Sequence, residues 1–303
     1  MTRVIFMGTP DYAGSILEAL IEADDIEVVA VYTQPDKPVG RKAVLTPPIV
    51  KVLAEKAHIP VKQPTRLRDE EVVNELRSIS CDLIIVAAYG QILLKAVLEH
   101  APCVNLHASI LPQYRGASPI QQSLLNNDSQ SGVTAMWMDE GLDTGAVIKI
   151  ESLSIAPDEM VESLYGRLTE AAVRLTLDVI RHWDRRSATK QNDAEATHCK
   201  KILKSDGLID FSDARSIYNR YRAFTPWPGI FTESGLKIKE MCLEEESSVG
   251  EAGVISRIDK EGILVQCTKG SLRIFKVQAP SKQETSVVDY LNGKRSGCGH
   301  PLV

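Results

Sequence analysis

Short apolar runs alternate with amphipathic segments along the first half of the chain. The runs are rich in Val and Ile and predict strands at Val4–Met7, Val28–Tyr32, Leu83–Ala88, Val104–His107 and Val133–Met138. The intervening segments have helical spacing, at Tyr12–Ala23, Ile49–Ala57 and Glu70–Ile79. Strands that are apolar on both faces are typical of parallel sheets covered by helices. The pattern therefore predicts an α/β fold with a doubly wound, mostly parallel sheet.

The second half of the chain has a different pattern. Apolar residues three or four apart predict one long helix over Met160–Trp183, and residues 181–206 then carry more Lys and Arg than Asp and Glu. After Phe211, a helix and several short strands indicate a small β-barrel. We therefore expect a first domain over residues 1–183, a linker over 184–206 and a second domain over 207–303.

Composition fits an ordinary globular enzyme. The chain has 303 residues, of which 44% are hydrophobic and 25% charged, and this length favours two domains. Apolar runs are shorter than the ~20 residues that span a bilayer, and the first residues lead directly into a strand, so we expect a cytoplasmic protein. The six cysteines lack the close spacing of a metal site or redox pair, which predicts free thiols and no metal.

Two polar residues on one predicted strand are candidates for catalysis. Asn105 and His107 are two residues apart, so their side chains point to the same face. About thirty residues after this segment, the turn Asp139–Gly145 carries Asp143 next to glycines. An amide and an imidazole side by side suit acyl transfer, because they donate to an oxygen that gains charge or move a proton. Taken singly, His107 is more often a structural residue and Asp143 a turn residue.

Three segments that follow predicted strands are candidates for one ligand pocket, since ligands of open α/β sheets bind beyond the carboxyl ends of strands. The candidate positions are Tyr89, Gly90, Gln91, Ile92, Leu93, Ser109, Ile110, Leu111, Pro112, Asp139, Gly141 and Leu142. Ile92 and Leu93 could equally be core residues. The turn from Gly8 to Gly14 lacks the middle glycine of a dinucleotide site, which argues against a nicotinamide cofactor.

Several ordered motifs together resemble the folate-dependent formyltransferase family. They are the Asn-x-His strand with Ser109–Pro112, the Asp139–Gly145 turn, Phe6–Ala13, Tyr114–Gln121 and Ala223–Pro228. Within this family the chain is most similar to the tRNA-formylating subfamily. The resemblance implies a formyltransferase domain followed by an OB-like tRNA-binding domain. It also implies 10-formyltetrahydrofolate as co-substrate, initiator methionyl-tRNA as acceptor and a monomeric enzyme that needs no metal.

The resemblance also implies roles for the three polar residues. Asn105 is expected to donate to the formyl oxygen, and His107 to donate a second bond or protonate the departing folate nitrogen. Asp143 is expected to hold His107 or to accept the amine proton through water. Ala108 and Ile110 depart from the family's usual glycine and leucine, which puts folate affinity in question more than chemistry.

A basic, proline-rich loop spans Gln34–Lys51 and includes Lys37, Arg41 and Lys42. Such side chains contact phosphates without reading sequence, and the resemblance implies contact with the tRNA acceptor stem, Arg41 above all. The alternative is a solvated surface. The loop's proline and glycine content predicts no fixed structure before tRNA binds.

Other functions fit the same catalytic residues. A nucleotide-sugar formylase shares the Asn, His and Asp of the formyltransferases, and a folate hydrolase would use water in place of the amine. An RNA-binding protein with a silent α/β domain is a third alternative. The intact Asn105, His107 and Asp143 argue against this last one.

Overall fold

The computed structural model describes residues 1–40, 42–185 and 187–302. The chain divides into two compact units. The first takes Met1–Pro119, Gln130–Ile155 and Leu164–Cys199, and the second takes Ile120–Ser129, Ala156–Ser163 and the chain from Lys200 onward. Most of the segment predicted as a linker therefore lies in the first unit. The domain limits drawn from the sequence stay a prediction.

The first unit is built on a seven-stranded sheet in the order β10-β9-β7-β6-β1-β2-β5. Its strands are β1 (Thr2–Gly8), β2 (Ile26–Tyr32), β5 (Val61–Lys62), β6 (Leu83–Ala87), β7 (Cys103–His107), β9 (Gln130–Trp137) and β10 (Val147–Ser154). The five strands from β5 to β7 are parallel, whereas β9 is antiparallel to both β7 and β10. The predicted mostly parallel sheet is confirmed.

Helices cover the sheet of the first unit. They are α1 (Asp11–Glu22), α2 (Ile49–Lys56), α3 (Glu70–Ser78), α4 (Lys95–Leu98) and, from Leu164 onward, α6 (Val161–His182). The helix α5 (Pro119–Leu125) belongs to the second unit from Ile120 onward. In α1, Ile16, Leu17 and Leu20 form one buried stripe at helical spacing. The long helix predicted over Met160–Trp183 is confirmed by α6.

The core of the first unit explains why its central strands are apolar without interruption. Residues Val4, Ile5, Phe6 and Met7 of β1 are all fully buried, and every residue of β6 is buried. Alternate side chains of a strand point to opposite faces, so both faces of these strands are covered.

Two short two-stranded sheets complete the first unit. The strands β3 (Lys37–Val39) and β4 (Val44–Thr46) form an antiparallel hairpin, and β8 (Arg115–Gly116) pairs in parallel with β11 (His198–Cys199). The sequence predicted no fixed structure for the basic loop, but the structure forms the β3–β4 hairpin there. Val39 and Val44 pair across it, because β-branched residues fit strands despite the flanking prolines.

The second unit carries an antiparallel sheet in the order β12-β13-β16-β15-β14, with β17 beside β16. Its elements are α7 (Ala214–Phe224), β12 (Ile230–Phe231), β13 (Lys237–Val249), β14 (Ile255–Ile258), β15 (Ile263–Gln266), β16 (Lys269–Gln278), β17 (Thr285–Ser286) and α8 (Val287–Lys294). Over the described residues this path stays open at both ends, so the OB-like barrel stays a prediction. Within the described part of the chain, no helix has the length and apolar character needed to cross a membrane.

The buried centre of β1 yields a stability prediction. Replacing fully buried Ile5 by Ala removes packed methyl groups and leaves a cavity, so we expect the free energy of unfolding to fall by about 3 kcal/mol. Ile92→Ala is the matched control, because Ile92 is 81% exposed. Urea denaturation of both variants measures the difference. Equal losses in the two variants would contradict the proposed core.

Candidate active site

Strand β7 presents two polar side chains on one face of the sheet. Asn105 is half-buried and His107 is buried at the strand's end. Leu106, between them, is buried in the core on the other face, as the two-residue period of a strand requires. The predicted shared orientation of Asn105 and His107 therefore agrees with the register of β7.

The turn that carries Asp143 follows β9 and begins beside the amino end of β7. Because β9 is antiparallel to β7, Trp137 lies beside Val104, and the Met138 N–H donates to the Cys103 carbonyl at 2.8 Å. The turn therefore starts beside the first residue of β7, but it folds back over the face that presents the two polar side chains, so that Asp143 lies 3.7 Å from His107 at the carboxyl end of the strand. Asp143 takes a left-handed backbone conformation with φ 55°.

The Asp143 carboxylate is held by two donors. Asn105 Nδ2 donates to Oδ1 at 3.3 Å, and the Gly116 N–H donates to Oδ2 at 2.9 Å. The side chain is only 11% exposed, so these bonds replace much of the water that a carboxylate needs. An amide nitrogen carries two hydrogens, so Asn105 keeps a second one free of Asp143.

His107 is anchored through one ring nitrogen and faces Asp143 with the other. Nε2 lies 2.9 Å from the Tyr114 carbonyl, which only accepts, so Nε2 carries a hydrogen. Nδ1 lies 3.7 Å from Asp143 Oδ2, which is beyond a hydrogen bond. The structure therefore brings the three predicted catalytic side chains together, but it does not bond Asp143 directly to His107.

The segment after β6 mixes structural and exposed positions. Tyr89 and Leu93 are buried in a core cluster against which Met138 packs. The Gln91 carboxamide accepts from the Leu67 N–H at 2.7 Å and donates to the Pro64 carbonyl at 2.9 Å, so it supports a neighbouring loop. Gly90 has φ 79°, a conformation that favours glycine. Among these five predicted positions, Ile92 is the apolar side chain left exposed.

The turn from Asp139 to Gly145 is tightly built. Asp139 Oδ1 accepts from the Gly141 N–H at 3.0 Å and from the Thr144 hydroxyl at 2.6 Å. A side chain at Gly141 would place its Cβ 2.0 Å from Thr144 Oγ1, and one at Gly145 would lie 1.7 Å from the Trp137 carbonyl oxygen. Both glycines are needed for the turn. It leaves Leu142 67% exposed.

Ile92 and Leu142 thus lie in similar environments. Each is a large apolar side chain exposed on a loop, and both loops are tied to the same core cluster, through Leu93 and Met138 respectively. Exposed apolar side chains beside a cluster of polar groups are typical of a ligand pocket.

The segment Ser109–Pro112 is mainly structural. Ser109 and Leu111 are buried, and the Ser109 hydroxyl donates to the Gln113 carbonyl at 2.6 Å. Thr134 braces the segment, since its hydroxyl donates to the Ser109 carbonyl at 2.6 Å and accepts from the Leu111 N–H at 3.1 Å. Ile110 and Pro112 are partly buried. This segment fixes the exit of β7 after His107.

Sequence reasoning missed the main-chain groups of the site. The Tyr114 carbonyl and the Gly116 N–H hold His107 and Asp143, yet a backbone group leaves no residue-type signal. Tyr114 and Gly116 did belong to one of the family-like motifs, which was the available hint. Thr134 was missed as well, because a threonine inside a strand is unremarkable in sequence.

Two further expectations concern charge and metals. Lys37 and Lys42 are exposed on the β3–β4 hairpin and its turn, and Arg41 lies outside the described residues. Over the residues described, no group of three or more His, Cys, Asp or Glu side chains is placed to hold a metal ion.

Comparison with known proteins gives a consistent result. Residues 2–180 match the formyl transferase family, and residues 201–295 match the C-terminal domain of formyl transferases. The chain is 57% identical over 293 residues to the methionyl-tRNA formyltransferase of Sulfurimonas denitrificans, covering 97% of each chain. It is 51% identical over 299 residues to the methionyl-tRNA formyltransferase of Nitratiruptor sp., covering 98% of each.

A solved structure shares the fold. It is an N-formyltransferase from Helicobacter canadensis in complex with folinic acid and dTDP-3-aminofucose. Its TM-score is 0.68 at 19% sequence identity, covering 90% of this chain and 99% of that chain. At this identity the likeness concerns the fold alone.

The Thr134 brace yields a second prediction. Thr134→Val keeps the side chain's shape but removes the acceptor for the Leu111 N–H, so we expect the Leu111 amide to exchange about tenfold faster. Thr134→Ser keeps the hydroxyl and serves as the control. Amide exchange followed by NMR measures both. Unchanged Leu111 protection in Thr134→Val would show that the brace does not exist.

Proposed function

The chain belongs to the formyl transferase family, and from that premise we propose that it transfers the formyl group of 10-formyltetrahydrofolate to the amino group of methionyl initiator tRNA. The product is N-formylmethionyl-tRNA, which serves translation initiation. The observation that carries the proposal is the cluster of Asn105, His107 and Asp143 on one sheet face, in a chain with full-length relatives named for this reaction. We further propose that the chain acts as a cytoplasmic monomer.

The reaction needs a stabilised oxyanion. The neutral amine attacks the formyl carbon, and the former carbonyl oxygen gains negative charge in the tetrahedral intermediate. Asn105 donates to this oxygen with the Nδ2 hydrogen that Asp143 does not use, while its other hydrogen keeps the amide oriented. Donors fixed before the reaction lower the barrier because they need no reorganisation.

Protons must then leave the amine and reach the folate nitrogen. The Asp143 carboxylate accepts the proton of the attacking amine, directly or through water, and passes it to His107 Nδ1, 3.7 Å away. Nδ1 then gives this same proton to folate N10 as the bond from N10 to the formyl carbon breaks. The Tyr114 carbonyl keeps the His107 ring in this orientation. The amine is the nucleophile, so a side-chain nucleophile is not needed. Burial raises the pKa of the Cys199 thiol, which keeps this neighbour of Tyr114 protonated.

The folate is proposed to lie along the loops that carry Ile92 and Leu142. These exposed apolar side chains supply walls for a flat ring, and main-chain groups of residues 89–93 and 139–142 supply partners for its polar edge. Gly90 and Gly141 leave the backbone accessible. Four of the predicted positions are buried beneath this surface, namely Tyr89, Leu93, Ser109 and Leu111. The side chains of Gln91 and Asp139 are held in the protein's own hydrogen bonds.

The tRNA is proposed to contact the β3–β4 hairpin. Lys37 and Lys42 are exposed there, and Arg41 directly precedes Lys42 in the sequence. Their charges attract the phosphate backbone of the acceptor stem. We assign the same partner to the second unit, because small β domains of this kind commonly bind nucleic acid.

A comparison of acceptors tests the proposed function. Wild-type protein is incubated with 10-formyltetrahydrofolate and, in parallel, methionylated initiator tRNA, a nucleotide-linked amino sugar, or buffer alone. Formyl product on the tRNA, and none on the sugar, is the expected result. Product on the sugar alone would replace the acceptor and keep the chemistry. Loss of the formyl group to water at equal rates in all three would identify a folate hydrolase.

Substitutions in the polar cluster form a third prediction. Asn105→Ala, His107→Ala and Asp143→Ala each remove a group from the reacting centre, so we expect the turnover number to fall about 100- to 1000-fold. The dissociation constant of tRNA, measured by filter binding, is expected to stay unchanged. Asn74→Ala, at an exposed position of α3, is the matched control for Asn105. Wild-type turnover in any of the three variants would remove that residue from the mechanism.

The basic hairpin yields a fourth prediction. Lys37→Ala and Lys42→Ala each remove one positive charge that would neutralise a phosphate, so tRNA binding is expected to weaken and the slope of log K against log salt to fall by about one. Lys149→Ala is the control, because Lys149 is an exposed lysine on β10, at the other edge of the sheet from β2 and the hairpin that follows it. The tRNA binding constant of each variant is measured across a series of salt concentrations, which gives the slope. Identical slopes in all three variants would place the tRNA elsewhere.

A further inference from the structure

Gln191 lies in the segment predicted as a linker, and its side-chain amide holds the main chain of the turn that carries Asp143. Its Nε2 donates to the Asp143 carbonyl at 2.9 Å and to the Gly145 carbonyl at 2.7 Å. The residue is 6% exposed, so these bonds are shielded from water. One amide group therefore fixes the main chain on both sides of Thr144.

The orientation of the Gln191 amide is set by a buried arginine. Arg115 donates to Gln191 Oε1 from Nε at 3.1 Å and from Nη2 at 2.8 Å, and its side chain is buried. A guanidinium has only donors and a carbonyl has only lone pairs, so the amide oxygen must face Arg115 and the NH₂ must face the turn. A flipped amide would place its NH₂ group against the guanidinium donors and its oxygen against the two carbonyl oxygens of the turn.

Arg115 and its neighbour Gly116 close a ring around Asp143. The Gly116 N–H holds the Asp143 carboxylate, and Arg115, through Gln191, holds the Asp143 main chain. Asp143 needs this support because its φ of 55° lies in the left-handed region, which costs energy for a residue with a side chain. The ring fixes both ends of the side chain that faces His107.

We propose that Gln191 is a positioning residue for formyl transfer, which keeps the Asp143 carboxylate beside Asn105 and His107 without touching either substrate. The proposal rests on the function proposed above. A displacement of catalytic groups by about 1 Å costs about 100-fold in rate. Gln191 is therefore expected to set kcat, while KM for tRNA depends on surfaces it does not touch.

The test compares two variants that both alter partners of Arg115. Gln191→Glu keeps the length and the contact with Arg115, but it turns the Nε2 donor into an acceptor that faces two carbonyls. Asp193→Asn is the control, because Asp193 accepts from the same Arg115 Nη2 at 2.8 Å but is 72% exposed. We expect Gln191→Glu to lower kcat about 10- to 100-fold with KM for tRNA unchanged, and Asp193→Asn to match wild type.

Hydrogen exchange of the peptide over residues 139–145, without substrates, supplies a readout independent of activity. Faster exchange there in Gln191→Glu, at a thermal unfolding temperature close to wild type, supports the positioning role. Wild-type kcat, or a lower kcat with unchanged exchange in the turn, overturns it. A parallel decrease in kcat, in tRNA affinity and in the thermal unfolding temperature also overturns it, because this pattern marks a purely structural residue. If the wild-type protein forms no formyl product, the proposed function fails. The exchange result then still shows whether Gln191 holds the turn over residues 139–145.

Discussion

The site depends on one constraint: the nearly buried Asp143 carboxylate must be hydrogen bonded where it lies. A charge taken out of water is costly unless donors surround it. Asn105 and the Gly116 N–H supply these donors, and each comes from a different segment of the first unit. Meeting the needs of one carboxylate therefore aligns strand β7, the Tyr114–Gly116 segment and the Asp139–Gly145 turn.

The sheet makes this alignment possible. The central strands of its parallel part supply a largely buried frame, in which the two-residue period of β7 puts Asn105 and His107 on one face. The antiparallel step to β9 starts the turn beside Cys103, and the turn then runs back along this face until Asp143 lies 3.7 Å from His107, the last residue of β7. Gly141 and Gly145 let the turn fold back, because side chains at either position would strike Thr144 or Trp137. Topology and local packing together set the distance between Asp143 and His107.

Local sequence patterns predicted the elements that have a regular periodicity. The apolar runs gave the parallel strands, and the spacing of Asn105 and His107 gave their common face. The direction of β9 was not predictable, because parallel and antiparallel buried strands have similar compositions. The β3–β4 hairpin was missed because its strands have three residues each and stand among prolines. Gln191 had no signal, since its partners on the turn are main-chain carbonyls distant in sequence.

A crystal structure of the protein with a stable 10-formylfolate analogue would locate the formyl group relative to Asn105, His107 and Asp143. We expect the formyl oxygen within hydrogen-bonding distance of Asn105 Nδ2, with N10 on the side of His107 Nδ1 and the ring between Ile92 and Leu142. A formyl group bound away from Asn105, His107 and Asp143, with the ring outside these two loops, would contradict this expectation.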